Sequence, residues 1–570
     1  MPCEEKKAGA QPISCAPEML LGGCGPQQSE NATDIKNNRK ESLKTNEPPT
    51  FYFHLGVLIF ATFFQTLTKS GLGYIKQWLV AVLLGCQNIE QTKELHYHSL
   101  SAMLGHVIKH PSNQRMALKE IATTANTEHI LRFNGLMVNV TVRGDFYYDP
   151  HTKHYTGQLK TLDTWCPSVR LADKGLNMDF IHTTDGYPVF FDTTDNFYDL
   201  RERYPKNIKR FRSLMGFPKE KTLTFIIDRG IFSEDVFNGI VQSATEHIIT
   251  WEKGYDRDKW DENAGHGTGC IIKKRNHHND VRLVHYHCQD GIWDKDTGMR
   301  QIIVRILDKN QKTLLEVSIL TDDKERDTNQ VIELMLKRWV QENDFKYLKK
   351  HFGINEITTY AFADYKDLRD KIEDKIYKGG KYKELTMEIK RIRAKLKTVL
   401  LRQHKFLQKH PDDDKKLPKK EQDRKTKIWD NVGRLDSILT KYDEQRKEHT
   451  DKISKLDELV ELDYKKLDTN TKSFFDAIKI LARNMFYLSL QPFKDKYDNY
   501  RDDHVLFRNL TKAAGTIKSK NGQIVVSLQP TMEYPKKIKN IFNDIIDGIN
   551  EKNPCLPDGS TKNISLKLMG

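Results

Sequence analysis

The spacing of apolar residues changes several times along the chain, and each change predicts a different kind of element. From Phe51 to about Leu131 apolar positions recur at three- and four-residue intervals, as in Ile89-Glu-Gln-Thr-Lys-Glu-Leu95 and Asn113-Gln-Arg-Met-Ala-Leu-Lys-Glu-Ile121, which predicts helices. Near Leu136-Met-Val-Asn-Val-Thr-Val142 the period falls to two, and strand character continues through Asp145-Phe-Tyr-Tyr-Asp149. Met178-Asp-Phe-Ile-His182 and Tyr187-Pro-Val-Phe-Phe191 flank Asp185-Gly186, a dipeptide suited to a hairpin turn. A helical stretch over 196–215 leads to the apolar run Leu223-Thr-Phe-Ile-Ile227, after which Ser233 caps a short helix and His247-Ile-Ile-Thr-Trp251 reads as another strand. Four β-type runs between about 254 and 322 predict an inserted sheet. Asp327 or Thr328 then opens a helix that runs through Glu342.

Beyond Tyr365 the composition shifts to Lys, Glu, Asp and Leu. Leu385, Ile389, Ile392, Leu396, Val399 and Phe406 form one stripe, and Ile428, Val432, Leu435, Leu439, Tyr442, Ile453, Leu456 and Val460 form another. The polar segment 411–418 separates them, which predicts two long helices folded back as an antiparallel hairpin, with a dimerising coiled coil as the alternative. Asn521-Gly522 marks a hairpin between 515–520 and 523–528, and an amphipathic helix follows over 537–549. The fold class is therefore α/β and multidomain. Residues 1–48 are polar and expected to be disordered. Residues 49–131 form a helical domain for binding DNA ends or simply for packing. Residues 132–364 are the mixed α/β core with its β-rich insertion at about 254–322. Residues 365–500 make the long helical hairpin, and 501–570 a small α+β segment.

Size and charge narrow the function classes. The 570 residues are enough for several domains and a large core. Lys+Arg 92 against Asp+Glu 78 leaves +14, which favours polyanionic partners, although ordinary solvated surface carries such a surplus too. The eight cysteines are scattered without a CxxC pair, so reduced thiols in a cytosol are expected. The apolar stretches 55–64 and 78–84 fall short of the roughly 18–20 residues that span a bilayer. Neither they nor the polar first 48 residues suggest a membrane or secretory segment.

Three separated acids carry the chemistry. Asp149 lies in Phe-Tyr-Tyr-Asp-Pro-His-Thr, Asp228 ends Leu-Thr-Phe-Ile-Ile-Asp-Arg-Gly, and Glu342 lies in Lys-Arg-Trp-Val-Gln-Glu-Asn-Asp-Phe-Lys. Two are at strand ends and the third is on a helix. At about 100° per residue, Arg338, Glu342 and Lys349 fall within roughly 40° of one another on that helix. An acid flanked by two cations suits a site in which carboxylates take a divalent ion and the cations hold phosphate oxygens; an exposed salt-bridged face has the same pattern. Asp145, four residues before Asp149 on the same strand face, is the alternative first acid. Asp149 is preferred because the resemblance given next centres on it, and because Gly144 is expected to break the strand before Asp145.

The spacing Arg338-x3-Glu342-x6-Lys349 resembles the Tyr-Arg-Glu-Lys helix of insertion-sequence DDE transposases, with Met335 where that family has Tyr. Ile226-Ile-Asp-Arg-Gly-Ile-Phe-Ser233 is similar to the family's second-acid motif, and Asp149-Pro-His-Thr-Lys153 with Tyr155-Thr-Gly157 to its first-acid region. The resemblance covers about 130–360. It implies a ribonuclease-H-like mixed sheet in which Asp149, Asp228 and Glu342 bind two Mg²⁺ or Mn²⁺ ions, with Arg338 and Lys349 orienting phosphate. It further implies cleavage of double-stranded DNA at an element's terminal repeats and strand transfer into target DNA. A homodimer in a synaptic complex and a bacterial-type, cytoplasmic, nucleoid-associated setting follow from the same resemblance. Two other functions fit less of the pattern: a structure-specific nuclease on the same core, and a catalytically inactive DNA-binding coiled-coil protein.

Other features carry weaker signals. Cys270, His277, His278, His285, His287 and Cys288 lack the paired spacing of a zinc site. Gly265-His-Gly-Thr-Gly269 lacks the Lys-Ser/Thr of a phosphate-binding loop and reads as a turn. Trp251, Trp260 and Trp293 are candidates to stack on an unpaired base, with core packing the commoner role.

Overall fold

A computed structural model describes residues 50–569, apart from 167–169, 195–196, 232, 256–258, 275–280, 294–297, 309, 357–360, 411–416, 498, 500–501 and 521–522. The segment expected to be disordered (1–48), His277, His278 and the Asn521-Gly522 turn lie outside the described residues.

Ten strands form the main sheet: β1 (Asp145–His154), β2 (Asp163–Cys166), β3 (Leu171–Thr183), β4 (Pro188–Thr194), β5 (Leu223–Ile227), β6 (Glu246–Trp251), β7 (Gly267–Lys274), β8 (Val281–Ile292), β9 (Arg300–Leu307) and β10 (Thr313–Thr321). Their order is β2-β3-β1-β5-β6-β10-β9-β8-β7, with β4 pairing on β3. Around them lie α1 (Leu200–Met215), α2 (Thr328–Leu336), α3 (Trp339–Phe352), α4 (Gly380–Lys409), α5 (Lys419–Glu448) and α6 (Thr469–Lys496). The molecule is thus a mixed α/β structure with several sheets.

β1, β5 and β6 run parallel at the centre. All five residues of β5 are buried, as expected of a strand covered on both faces. Successive side chains point to opposite faces. Phe225 meets Phe211 of α1 and Phe146 on one side. Ile226 packs on the other with Tyr147, Ile249 and Val331, Ile332 and Met335 of α2. The Asp185-Gly186 turn joins β3 to β4, with Gly186 at φ 90°, a region that favours glycine.

Four expectations need correction. The predicted inserted sheet is not separate: β10 returns beside β6 through Ile319↔Trp251, Leu320↔Thr250 and Thr321↔Ile249, so β7–β10 extend the main sheet. Pairing covers an edge of β6 that would otherwise expose its backbone groups. The run 136–142 is not a strand. Helix Thr124–Met137 ends there, Asn139 turns into the left-handed region at φ 53°, and Val140–Val142 form a 3-10 turn. Leu136 and Val142 are exposed, so the alternation of β-branched residues has no sheet behind it. The helix opened by Asp327 is not continuous either, since α2 stops at Leu336 and α3 starts at Trp339.

The long hairpin is confined to α4 and α5. The Arg393–Asp443 ion pair and the approach of His410 to Glu421 set the two antiparallel, and Ile392, Val399 and Leu435 pack between them. Ile453, Leu456 and Val460 do not continue its second stripe. They lie in the strand Lys452–Ser454 and the helix Lys455–Glu461, where Leu456 and Leu459 pack on Phe197 and Tyr365.

Helix α6 belongs to the main core, alongside the helices Ala61–Lys69 and Lys76–Leu83. The two ends of the described chain also meet: Thr50–Tyr52 pairs with Ala514–Lys520, which continues through Gln523–Gln529 to Ile564–Leu568 in a four-stranded sheet. A Cβ on Gly56 would lie 1.9 Å from the Leu510 carbonyl oxygen, so only glycine allows this approach. No helix among the described residues is long and apolar enough to cross a membrane.

Candidate active site

Parallel pairing aligns the first two acids. Tyr148 is level with Ile227 in the β1–β5 register, so the next residue on each strand sets Asp149 beside Asp228. The third arrives on α3, whose first turn holds Glu342 and whose N-cap is Arg338. Arg338 reaches all three acids: Nη2 is 2.7 Å from Glu342 Oε1 and 3.8 Å from Asp228 Oδ2, and Nη1 is 3.8 Å from Asp149 Oδ1. The Arg338 side chain is 13% exposed, against 49% for that of Glu342. Lys349 lines the same hollow of about 830 Å³, together with His151, Lys153, Trp165 and Asn355. The helix break leaves Arg338 and Glu342 adjacent in space, although they are not on one unbroken helix.

Asp145 is elsewhere. It starts β1 and pairs with Arg326 at 2.9 Å, outside the lining of that hollow. Of the two alternatives, Asp149 is therefore the acid that meets Asp228 and Glu342.

Asp149 is the electrostatically perturbed member. Burial drives its pKa up to about 7; Arg338 opposes the shift, while Asp228 and Glu342 reinforce it. The folded chain thus keeps a proton that the unfolded chain releases near 3.8. The stability tied to this proton is fully present below pH 3.8 and is lost as pH rises to about 7. Asp149→Asn, which cannot ionise, is expected to flatten the fall in thermal midpoint between about pH 4 and 7. Parallel wild-type and variant curves would refute this role.

A buried polar network lies beneath the acids. His182 Nε2–H donates to Asp344 Oδ2 at 3.0 Å, and His182 Nδ1 accepts from Gln341 Nε2 at 2.8 Å. Burial lowers the His182 pKa, which keeps the ring neutral and suits this single-proton arrangement. Arg483 of α6 closes on Asp344 Oδ1 at 2.5 Å, and Gln341 also donates to the Tyr147 carbonyl at 3.4 Å. Gln341 precedes Glu342 in sequence, and Tyr147 is two residues before Asp149. The network therefore ties the acid-bearing helix to the acid-bearing strand. His151, stacked on Phe345 at 5.0 Å and bonded to Asn355, braces the next part of β1. Sequence reading missed this layer, because its partners are spread over β1, β3, α3 and α6.

The donor set fits a hard divalent ion: three carboxylates drawn from separate elements around one positive centre, with no thiolate among them. As the side chains stand, that centre is the Arg338 guanidinium, and no group of three or more His, Cys, Asp or Glu among the described residues is placed to hold a metal ion. The three tryptophans singled out from sequence make packing contacts, Trp251 among them beside Ile249 and Ile319. Trp260 lies under Arg305 at 4.2 Å, and Trp293 is buried with its indole donating to Glu252 at 3.1 Å. Cys270 and His285 are cross-strand neighbours in the β7–β8 pair.

Residues 206–567, more than half of the chain, match the family described as Transposase protein. The chain belongs to this transposase family. The matched region includes Asp228, Arg338, Glu342 and Lys349, and begins after Asp149. No curated protein matches the chain. Among solved structures, a cryo-EM structure of the piggyBac transposase synaptic complex with hairpin DNA aligns at 11% identity and a TM-score of 0.27, over 52% of this chain and 59% of that one.

Proposed function

We propose that this transposase cuts DNA at the ends of its element and joins them to target DNA by metal-dependent phosphoryl transfer at Asp149, Asp228 and Glu342. The observation that carries the reading is the convergence of three acids, from β1, the end of β5 and α3, on Arg338 at one hollow. The three parallel strands with helices on both faces support a ribonuclease-H-like core for 132–364. Two Mg²⁺ or Mn²⁺ ions held by the three carboxylates would supply Lewis-acid activation of a water or 3′-hydroxyl and charge stabilisation at the leaving oxygen.

The chain's own residues then divide the remaining work. Arg338 neutralises the acids in the free protein, and phosphate oxygens compete for its guanidinium when DNA enters. Exposed Lys349 adds a second cation on the same wall for the scissile strand. The His182–Asp344–Arg483 network fixes the spacing of helix and strand beneath them. Two copies pairing two element ends is the assembly we propose. The helices before β1 and the α4–α5 hairpin would supply DNA and partner contacts, and such a protein would be found with DNA in the cell.

The test uses the DNA that flanks the reading frame. Inverted repeats bracketed by a short direct duplication are expected there, and purified protein should nick and join fragments carrying those repeats only when Mg²⁺ or Mn²⁺ is present. Equal products in EDTA, or no products from any paired-repeat substrate, would refute the proposal.

A further inference from the structure

The hairpin pairs two helices of 30 residues each whose charge is unlike. α5 carries 9 Lys or Arg and 7 Asp or Glu, the mixture of an ordinary solvated face. α4 carries 10 against 2, and its acids, Glu384 and Glu388, both fall in its first third. From Ile389 to Pro411 there are 8 Lys or Arg and no acid.

Spacing gathers these cations. Arg391, Lys395, Arg402, Lys405 and Lys409 follow one another at 4, 7, 3 and 4 residues. At about 100° per residue all five stay within roughly 40° of Arg391. All five are exposed. Arg391 pairs with Glu388 at 2.6 Å, whereas none of the other four has a carboxylate partner among the described residues. The row lies to one side of the buried line Ile392, Val399 and Phe406, and Arg393 is the α4 cation that reaches α5, through Asp443. Like charges three and four residues apart destabilise a helix, so the hairpin itself gains nothing from this row.

The row has the reach of a nucleic-acid backbone. Lys395 to Lys409 is 14 residues (409 − 395), about 21 Å of helix at about 1.5 Å per residue. One DNA strand presents roughly six phosphates over that length, at about 3.4 Å each along the axis. A second copy of the hairpin offers no matching row of acids: on α5, Asp423 and Asp430 share their face with Lys427, Arg434 and Lys441. The root of the hairpin also stands beside the acids. Ile376–Lys378 pairs with Lys452–Ser454, and Glu458 accepts from the Gly380 N–H at 2.8 Å. Lys375, at the start of this root, pairs with Glu202 and lies 4.5 Å from the Tyr198 ring. Tyr198 lines a hollow of about 430 Å³ that shares Thr164, Trp165, Leu200 and Gly230 with the hollow of the three acids.

Taking the acids as the DNA-cutting site, we infer that Lys395, Arg402, Lys405 and Lys409 make α4 an arm that holds the phosphate backbone of duplex DNA alongside that site. Of the DNA and partner contacts proposed for the hairpin, this face makes the DNA ones. Its contacts are to phosphates, so they position the duplex without reading its sequence.

The test measures binding of the full chain to a duplex of about 30 base pairs of arbitrary sequence, in EDTA, with NaCl raised from about 50 to 200 mM. Changing Lys395, Arg402, Lys405 and Lys409 together to Gln should flatten the slope of log affinity against log salt by about 3–4, since each lost phosphate contact removes about 0.9. Affinity near 100 mM NaCl should fall at least about tenfold. Changing Lys420, Lys427, Arg434 and Lys441 of α5 to Gln alters the net charge equally and should move the slope by less than about 1. Both variants should melt with wild type, because every changed side chain is exposed. An unchanged slope for the α4 variant overturns the inference, as does an equal loss from the two variants. A change of oligomeric mass in light scattering with the slope kept would give this face to a second copy and overturn it too. Absence of metal-dependent cutting in wild type that shows the expected salt pattern would instead count against the assignment of the acids.

Discussion

Glu342→Gln is expected to lower metal-dependent cutting and joining of element ends by at least about a thousandfold. The substitution keeps the size of the side chain and removes one charged oxygen donor from the three-acid set. Its cost to the fold should be small, because the Glu342–Arg338 pair is half exposed on the glutamate side and such pairs contribute no more than about 1 kcal/mol. Folding and chemistry therefore separate: a normal thermal midpoint with lost activity is the expected pair of results. Product formation measured with Mn²⁺ and paired terminal repeats checks the first, and a melting curve the second. If Glu342→Gln cut DNA at a wild-type rate, the carboxylates would have to be assigned to charge balance around Arg338 alone.

The largest expected loss of stability belongs to Asp344, one turn or less from the catalytic candidate on the same helix. Asp344→Ala leaves the Arg483 guanidinium, whose side chain is 4% exposed, without its carboxylate, and leaves the His182 Nε2–H without an acceptor in a fully buried site. Removing one partner from a buried ion pair typically costs about 3–5 kcal/mol, chiefly because the remaining charge stays desolvated. Arg483 keeps an aromatic contact with Tyr487 at 4.5 Å and a bond to Asn484 at 3.0 Å, which offset only part of this. Urea unfolding of wild type and variant measures the difference. A change below about 1 kcal/mol would show that the network is readily replaced by solvent. Unlike Glu342→Gln, this substitution should reduce activity and stability together.

Parts of this molecule are legible from sequence for identifiable reasons. Asp228 terminates a strand that is apolar at nearly every position, and only a strand buried on both faces needs that composition. Arg338 and Glu342 are four residues apart, a separation that brings them together on a helical turn, and the contact forms although Arg338 is only the N-cap. The break before Trp339 leaves no mark in the sequence, because neither glycine nor proline accompanies it. The pairing of β10 with β6 is equally hidden, since it joins residues about 70 positions apart through backbone groups that every residue possesses.

Charge in α6 misleads in the opposite direction. Lys472, Asp476, Lys479 and Arg483 recur at helical spacing, the pattern of an exposed charged face, and all four are buried. Lys472 and Lys479 pair with Asp476 and donate to the carbonyls of Ile354 and Gly353, while Arg483 reaches Asp344. Their partners lie more than a hundred residues upstream, beyond the reach of any local pattern.

The pairing of Thr50 with Ile517 ties residues 467 positions apart (517 − 50) into neighbouring strands. On a ribosome, the apolar surfaces of the first helices must wait for this last portion to emerge. At roughly 5–20 residues per second that delay is on the order of half a minute to a minute and a half. Throughout it the nascent chain exposes apolar surface that the folded protein buries, the condition under which incomplete chains aggregate. A message truncated shortly before the final strands would release a product that cannot seal its own opening segment.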